Sequence, residues 1–206
     1  MLVLVACEES QEVCKAFRAK GHTAFSCDIQ DCSGGKPEWH LKGDVLDYLD
    51  CEKWDLIIAH PPCTYLTVTG NRWFDVEKYG QKAIDRQIKR IQAVVFFLKL
   101  ANADCERICI ENPVGVMSRI YRKPDQIIQP YFFGEPYEKK TCLWLKNLPP
   151  LKSMNVLERP ERVRFASGRT MPKWYADAWK LKPEERARQR SRTFHGIAQA
   201  MAEQWG

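Results

Sequence analysis

The sequence lacks any uninterrupted apolar run of the ~20 residues that a membrane-spanning helix needs. It also lacks a basic stretch before its first apolar residues, and acidic residues follow at Glu8 and Glu9. Secretory signal peptides have the opposite charge pattern. We therefore expect no membrane partner and a cytoplasmic protein whose first apolar residues form a strand.

The nine cysteines include no Cys-x-x-Cys pair, which argues against a disulfide framework. Scattered thiols in an odd number are typical of a reducing cytoplasm. A zinc site can be drawn from His22, Cys27, Cys32 and His40. However, Cys27 lies in an apolar run, where a free cysteine packs as a small hydrophobe. We expect no metal site.

Internal repeats and low-complexity tracts are also absent, and 206 residues with 45% hydrophobic and 28% charged side chains are typical of one globular domain. Residues 158–192 hold eleven basic and five acidic residues, so this basic C-terminal segment carries the whole net charge of +6. Trp174, Tyr175 and Trp179 lie within the segment. It suits a phosphate backbone with base stacking, or it forms a solvated surface whose aromatic residues anchor in the core.

Short apolar runs alternate with helical patterns over the first half of the chain, as in parallel sheets covered by helices. Strands are predicted at residues 2–6, 23–27, 43–45, 56–59, 107–110 and 141–145. Helices are predicted from a Ser10 cap to Gly21, over residues 76–101 with an apolar stripe at Ile84, Ile88, Ile91, Val95 and Leu98, and over residues 183–205. The expected fold class is α/β, with a Rossmann-like, mostly parallel sheet and helices on both faces.

Chemically informative residues follow five of the predicted strands. They are residues 7–10, Asp28, Asp44, residues 61–63 and residues 111–113. Ligands bind beyond the carboxyl ends of the strands in an open parallel sheet, so one crevice would collect all five groups.

Two prolines end the fourth predicted strand and stiffen the turn that presents Cys63. A nucleophilic thiol needs a positive neighbour or a helix end to favour its thiolate. His60 and Arg72 are candidates for that neighbour. Taken alone, the Pro-Pro-Cys triplet is equally compatible with a buried turn cysteine.

Two motifs in this chain resemble the C5-cytosine DNA methyltransferases. Pro-Pro-Cys at 61–63 follows the fourth strand, Glu111-Asn112 follows the fifth, and the loop after Cys63 continues with Thr67 and Gly70 as in that family. The stretches VACEES, PPCTYLTVTGNRW, ENPVGVMSRI and GIAQAMAEQWG resemble a compact, phage-associated branch of it. The resemblance covers most of the chain and implies a class I S-adenosylmethionine-dependent methyltransferase fold in a phage or prophage protein of a bacterial host.

The resemblance also implies a mechanism. The Cys63 thiolate would add to C6 of cytosine while Glu111 holds or protonates N3, so that C5 accepts a methyl group from S-adenosylmethionine. Asn112 would hold the catalytic loop. The base would be flipped out of the DNA duplex, and residues 64–73 would form a flexible loop that closes over it.

Each site residue receives an expected role from the same resemblance. The catalytic set is Cys63, Glu111, Asn112, Pro62 and Lys140; the cofactor-binding set is Cys7, Glu8, Ser10, Asp28, Asp44, His60 and Pro61; the DNA-binding set is Thr67, Gly70, Arg72, Lys139, Arg188, Arg190 and Arg192. Asp28 would bind the ribose hydroxyls and Asp44 the adenine amine. A turn-forming role for Asp28 and a helix cap at Asp44 are the alternatives.

Several family features are missing. The first loop, residues 6–11, has no glycine, and the family's base-contacting Arg-x-Arg is represented only by Lys139-Lys140, which lacks the planar fork of arginine. The closing Gly-Asn motif is reduced to His195-Gly196, and no separate target-recognition domain fits in 206 residues. The basic C-terminal segment is then the expected DNA surface, on a monomer or weak dimer.

Alternative functions remain open at this point. An amino-methyltransferase shares the Pro-Pro turn, but it places Asp, Asn or Ser before the prolines and an aromatic residue after them, where this chain has His60 and Cys63. A non-catalytic nucleic-acid-binding protein on the same fold would not bind S-adenosylmethionine. RNA or a free nucleotide could also replace DNA as the substrate.

Overall fold

The computed structural model describes residues 1–206 and centres on a seven-stranded sheet. Its strands are β1 (Leu2–Ala6), β2 (Thr23–Asp28), β3 (His40–Lys42), β4 (Leu56–Ala59), β5 (Ile108–Pro113), β6 (Gln126–Ile128) and β7 (Thr141–Lys146), in the order β3-β2-β1-β4-β5-β7-β6. All pairings in this sheet are parallel except those of β7, which is antiparallel to both β5 and β6. The sheet is mostly parallel and is combined with helices, so the predicted α/β fold class is confirmed.

Helices cover both faces of the sheet. They are α1 (Glu12–Ala19), α2 (Val76–Tyr79), α3 (Gln81–Ala101), α4 (Met117–Ile120), α5 (Lys173–Asp177), α6 (Pro183–Ser191) and α7 (His195–Trp205). Short 3₁₀ helices lie at Pro37–Trp39, Val45–Asp47, Val68–Phe74, Pro130–Phe133 and Ala178–Lys180. A separate hairpin consists of β8 (Arg162–Arg164) and β9 (Thr170–Pro172).

The alternation of side chains along β1 divides the core into two layers. Val3 and Val5 pack in the layer that holds α1 and α7, whereas Leu4 and Ala6 pack in the layer beneath α3. All four side chains are fully buried. Burying a Val or Leu side chain contributes about 1.5–3 kcal/mol, so this central strand is a large source of stability.

Two strands differ from their predicted positions. The third strand lies at His40–Lys42, not at residues 43–45, because the Asp44 side chain accepts a hydrogen bond from the Leu46 amide and starts a 3₁₀ helix. The fifth strand was expected to end at Ile110. It extends to Pro113 because Glu111, Asn112 and Pro113 pair with the antiparallel strand β7.

The long predicted helix is interrupted, and most of its apolar stripe does not face the core. Gly80, with φ +52°, separates α2 from α3. The residues of α3 that are buried are Ala83, Phe97 and Leu100. Four residues of the predicted apolar stripe are instead exposed to solvent, namely Ile84, Ile88, Ile91 and Val95.

The predicted final helix is also two helices. Residues Arg192–Phe194 separate α6 from α7, and Arg192 has an extended φ/ψ of −52° and 140°. The first half, α6, has no buried residue, whereas α7 buries six residues against the sheet. One helix could not place both halves in these different environments.

No helix in the structure is both long enough and apolar enough to cross a membrane. All nine cysteines are free. No three His, Cys, Asp or Glu side chains converge as a metal site. Cys27 and His40, from the alternative zinc set, lie in β2 and β3, where the His40 ring bonds to Ser26 and to the Gln30 carbonyl.

Candidate active site

The strand register brings four predicted site residues to one edge of the sheet. Ala6 pairs with Cys27 and with Ala59, and Ala59 pairs with Ile110. The next residue of each strand is therefore at the same level, so Cys7, Asp28, His60 and Glu111 form a row across the sheet. The sequence predicted this clustering at the carboxyl ends of the strands.

The row places His60 beside Glu111, and the two side chains form an ion pair. His60 Nδ1 lies 2.7 Å from Glu111 Oε2, with side chains only 10% and 18% exposed. Burial lowers the pKa of His60, but the hydrogen bond and the charge of Glu111, with the charge of Glu8, outweigh it and raise the pKa. Burial raises the pKa of Glu111, but the hydrogen bond and charge of His60 and the charge of Lys139 lower it overall. The proton therefore rests on His60.

The Pro-Pro-Cys turn is tied to strand β5. Asn112 Nδ2 donates a hydrogen bond of 2.7 Å to the Pro61 carbonyl, and Asn112 is buried. The Cys63 carbonyl accepts hydrogen bonds from the amides of Leu66 and Thr67, which close the turn on its other side. These bonds hold the turn from both ends and leave the half-buried Cys63 facing the cleft.

Lys139 supplies the positive field at Cys63. Burial raises the pKa of the Cys63 thiol, the charge of Lys139 lowers it, and the charge of Glu111 raises it, for a net increase. Cys63 is thus a thiol at rest. The expected positive neighbours, His60 and Arg72, do not have this role, because the His60 proton is bound to Glu111 and the Arg72 guanidinium lies over the Trp73 ring.

The adjacent residues Lys139 and Lys140 lie in different environments, and Lys139 is the one that acts on Cys63. Lys139 is half-buried, 5.5 Å above the Phe194 ring, and its charge affects Cys63, His60 and Glu111. Lys140, the predicted catalytic lysine, is exposed and lines the cleft. Sequence reasoning missed the position of Lys139, since a charge in the loop before β7 has no fixed spacing from Cys63.

The loop after Cys63 is a structured element. Val68–Phe74 forms a 3₁₀ helix capped by the Thr67 hydroxyl. The side chains of Arg86 and Arg90, in α3, donate hydrogen bonds to the Thr64 and Tyr65 carbonyls.

The same loop rests directly on the segment after β5. Thr67 forms an isolated bridge with Gly115, and the Val116 amide donates to the Leu66 carbonyl. A Cβ atom at Gly115 would overlap that carbonyl. Gly115 is therefore a site residue that sequence reasoning missed, although glycine directly after a functional motif is a signal of close backbone approach.

The first loop achieves its tight turn without glycine. Cys7 and Gln11 both have φ +60°, in the left-handed region that glycine usually occupies. Gln11, not Ser10, is the residue before α1, and it makes no capping bond through its side chain. Ser10 was the predicted cap, and this prediction is wrong.

Glu8 caps helix α1 in place of Ser10. Its two carboxylate oxygens accept hydrogen bonds from the Val13 and Cys14 amides, at 2.7 and 3.2 Å. Burial raises the pKa of Glu8, although these amides and the charge of His60 lower it. Both oxygens are engaged in the helix cap, so Glu8 has a structural role at the base of the cleft; its cofactor-binding role stays a prediction.

Two carboxylates lie around Cys7. Burial, followed by the charges of Asp28, Cys27 and Asp44, raises the pKa of the Cys7 thiol. Asp28 lines the cleft and accepts a hydrogen bond from the Gln30 amide, while Asp44 caps the 3₁₀ helix behind it. Both local roles that the sequence left open, a turn for Asp28 and a cap for Asp44, are therefore present.

A single large cleft of about 1670 Å³ runs along this edge of the sheet. Thirteen of the predicted site residues line it, namely Cys7, Glu8, Ser10, Asp28, His60, Pro62, Cys63, Thr67, Lys139, Lys140, Arg188, Arg190 and Arg192. Six lie outside its lining, namely Asp44, Pro61, Gly70, Arg72, Glu111 and Asn112. Glu111 connects to the cleft through its hydrogen bond to His60.

The basic C-terminal segment forms the far wall of the cleft, and much of its charge is neutralised. Arg159 and Arg162 pair with Glu138, and Arg192 pairs with Glu135. Arg188 lines the cleft, is exposed and has no ion pair within the chain.

The aromatic residues of this segment serve different roles. Trp174 donates to the Glu138 carbonyl and packs on Tyr137, so it is an anchor. Trp179 is 53% exposed, and the Arg190 guanidinium lies between its ring and that of Tyr175. Trp174 thus fits the interpretation in which aromatic residues anchor the segment in the core, whereas the exposed Trp179 does not.

Solved structures include chains that are similar to this one. No protein-family model and no curated protein matches the chain. The chain is similar to the crystal structure of a protein described as a DNA modification methyltransferase encoded within an E. coli prophage, with a TM-score of 0.45 and 13% sequence identity. The similarity covers 89% of this chain and 56% of that one.

Proposed function

We propose that this protein is an S-adenosylmethionine-dependent methyltransferase that modifies C5 of cytosine in DNA through a covalent adduct with Cys63. One observation carries the proposal. The thiol of Cys63 and the His60–Glu111 ion pair lie at the same edge of the sheet, joined by the Asn112 hydrogen bond to the Pro61 carbonyl. A nucleophile and a proton donor in this arrangement suit attack on one side of a heterocycle and protonation of the other.

The first step forms the bond between sulfur and C6. Cys63 loses its proton to water, assisted by the positive charge of Lys139, and the thiolate adds to C6. The electrons of the C5–C6 double bond then become available at C5 while N3 takes a proton from Glu111. That proton comes from His60, which first passes it to Glu111 across their 2.7 Å hydrogen bond, because Glu111 does not carry it at rest.

The proposed cofactor region of the cleft is at its first loop. The left-handed Cys7 backbone and the cleft-lining Asp28 lie at the carboxyl ends of β1 and β2, where nucleotide-like cofactors bind in such sheets. Asp28 would hold the ribose hydroxyls, and Asp44 would supply negative charge nearby. When bound, S-adenosylmethionine supplies an electrophilic methyl group, which C5 accepts.

Release restores the aromatic base and the enzyme. A base takes the C5 proton, the C5–C6 double bond forms again, and the carbon–sulfur bond breaks to return the Cys63 thiolate. The N3 proton returns through Glu111 to His60. Asn112 holds the Pro61 carbonyl and so keeps Cys63 in position throughout.

The size and charge of the cleft support DNA as the substrate. A volume of about 1670 Å³ exceeds the about 300–1,000 Å³ of ordinary small-molecule sites. Arg188 on the wall could contact phosphate, while a flipped cytosine enters between Cys63 and the His60–Glu111 pair. Flipping costs a few kcal/mol, which phosphate contacts would offset.

The proposal is tested by methyl transfer with product identification. The parent protein is incubated with labelled S-adenosylmethionine and, separately, with duplex DNA, single-stranded DNA, RNA or dCMP, and the modified nucleosides are identified after digestion. We expect 5-methylcytosine from DNA, its complete loss in Cys63→Ala, and unchanged activity in Cys51→Ala, whose exposed thiol lies outside the cleft.

Other products would give different answers. Methylation of an exocyclic nitrogen would establish an amino-methyltransferase and contradict the proposal. DNA binding without cofactor binding in calorimetry would indicate a non-catalytic protein on this fold.

A further inference from the structure

The outer face of α3 is an apolar stripe that nothing in the chain covers. Ile84, Ile88, Ile91 and Val95 are exposed to 39%, 51%, 64% and 47%. These side chains are large and β-branched, and they occupy one face over three turns of the helix. Contiguous exposed apolar surface of this kind marks an interaction site in a folded protein.

A groove runs along one side of the stripe. Its volume is about 400 Å³, and its lining is Phe74, Gln87, Arg90, Ile91, Val94, Val95 and Ile120. Five of these residues are hydrophobic. The groove can accept apolar side chains from a second surface packed against α3.

The spacing of the stripe is that of a coiled-coil seam. Ile84, Ile88, Ile91, Val95 and Leu98 are separated by alternating steps of four and three residues. This alternation places side chains where a second helix can pack them between its own. The occupant that fits the stripe is therefore another helix with the same spacing.

The charges beside the stripe identify which helix fits. Asp85, Gln92 and Lys99 occur at seven-residue steps, so they form one flank of the seam. The other flank carries the uncharged residues Gln87 and Val94. Asp85 accepts a hydrogen bond from Gln81, and neither Asp85 nor Lys99 has an ion pair within the chain.

This flank is complementary to itself in one orientation. In an antiparallel pair, equivalent flanks face each other, so a two-fold axis near Gln92 brings Asp85 of each copy to Lys99 of the other. A parallel pair would place the charged flank against the uncharged one and leave both charges without partners. Charge complementarity thus selects a second copy of this chain in antiparallel orientation.

We propose that α3 is a homodimer interface in which two copies pack antiparallel along this stripe. The stripe residues lie outside the lining of the candidate active-site cleft. Phe74 and Arg90, which belong or hydrogen-bond to the loop after Cys63, line the groove beside the stripe. The dimer does not rest on the proposed function.

The oligomeric state tests the interface. Sedimentation velocity and light scattering of the full chain over the micromolar range are expected to show a monomer–dimer equilibrium. Ile91→Glu places a charge at the centre of the seam and is expected to raise the dimer dissociation constant by about 100-fold or more. Val156→Glu is the matched control, since Val156 is similarly exposed at 62% and lies away from α3.

Charge exchange tests the antiparallel arrangement. Asp85→Lys and Lys99→Asp alone are each expected to weaken the dimer about threefold to tenfold, and the double variant D85K/K99D is expected to restore it. Circular dichroism confirms that each variant is folded. A protein that stays monomeric, a dimer insensitive to Ile91→Glu, or a double variant no tighter than the single variants would overturn the proposal.

Discussion

At the scale of single residues, the His60–Glu111 pair controls where a proton is stored. The geometry keeps that proton on His60 at rest and 2.7 Å from the carboxylate that would use it. Each side chain is buried, so neither charge is stable without the other. The pair should consequently affect both stability and reaction in a pH-dependent way.

The pH dependence of stability follows from the two pKa shifts. His60 has a pKa raised above 6.5, so its contribution is complete below about pH 6.5 and is lost as the pH rises through the folded-state pKa. Glu111 has a pKa lowered below 4.5, so its contribution is complete above about pH 4.5 and is lost as the pH falls. The ion pair is therefore most stabilising between these two values.

A comparison of the parent with the double variant His60→Gln/Glu111→Gln tests this pH window. The difference in the free energy of unfolding, measured by urea titration at several pH values, should be largest between about pH 4.5 and 6.5. It should fall on either side by up to about 1.4 kcal/mol for each unit of pKa shift. A difference in the free energy of unfolding that is independent of pH would mean that folding shifts the pKa of neither His60 nor Glu111.

Lys139 should control the ionisation of Cys63. In Lys139→Met, the thiol loses the charge that opposes burial, so its pKa should rise and its alkylation by iodoacetamide at neutral pH should slow by about tenfold. The rate is measured on the Cys63 peptide by mass spectrometry, which separates it from the other eight cysteines. Lys140→Met, the adjacent exposed lysine, should leave the rate unchanged; equal slowing in both variants would exclude a specific role for Lys139.

The sequence predicted some of these residues and missed others for a physical reason. Cys63 follows β4, whereas Glu111 and Asn112 are among the last residues of β5, and the strand register places these ends together. Lys139 reaches the site from a loop before β7, and no pattern along the chain fixes that approach. His60 was predicted near the thiol, but its pairing with Glu111 depends on the register of β4 and β5.

At the scale of secondary-structure elements, Glu8 is the residue that starts helix α1. The helix has no capping side chain at Gln11, so the Val13 and Cys14 amides depend on the buried Glu8 carboxylate. Amides in the first turn of a helix have no partner within the helix, so they need an acceptor from outside it. Glu8 supplies that acceptor and thereby connects α1 to the loop after β1.

Glu8→Ala should destabilise the protein by about 1.5–3 kcal/mol, because two buried amides lose a charged acceptor. Glu8→Gln keeps one carbonyl oxygen and should cost roughly half as much. Chemical denaturation measures both values. Glu9→Ala, which changes a carboxylate outside this cap, should cost less than about 0.5 kcal/mol; a similar loss at Glu9 would refute the capping role of Glu8.

Helix α3 and strand β3 show where the pattern of hydrophobic residues in the sequence is ambiguous. The stripe from Ile84 to Leu98 correctly indicated a helix, yet the sheet packs on the opposite side through Phe97 and Leu100. Both faces of α3 are apolar, and the hydrophobic pattern does not state which one meets the core. The third strand was displaced because Asp44 caps a 3₁₀ helix, and a capping residue resembles a strand end in sequence.

At the scale of the whole molecule, the sheet and the basic C-terminal segment enclose one cleft between them. The segment supplies the entire net charge of the chain, but ion pairs with Glu135 and Glu138 neutralise part of that charge. Only its unpaired cations can replace counterions on DNA. The sequence predicted the charge of this segment but not which of its cations remain unpaired.

Arg188→Ala should therefore weaken DNA binding and lower the slope of log K against log salt concentration by about 0.9, the value for one phosphate contact. Fluorescence anisotropy with labelled duplex DNA at several salt concentrations measures the slope. Arg159→Ala, which removes an arginine already paired with Glu138, is the control and should change the slope far less. Equal changes in slope would show that ion pairing within the chain does not decide which of these arginines contacts phosphate.

The most direct measurement of the proposed chemistry is covalent trapping on DNA that contains 5-fluorocytosine. Fluorine at C5 cannot leave as a proton does, so the adduct formed after methyl transfer should persist. With S-adenosylmethionine present, we predict a denaturation-resistant protein–DNA adduct that maps by mass to the Cys63 peptide and is missing in Cys63→Ser. Absence of an adduct from a folded protein that binds both DNA and cofactor, or an adduct at a different cysteine, would contradict it.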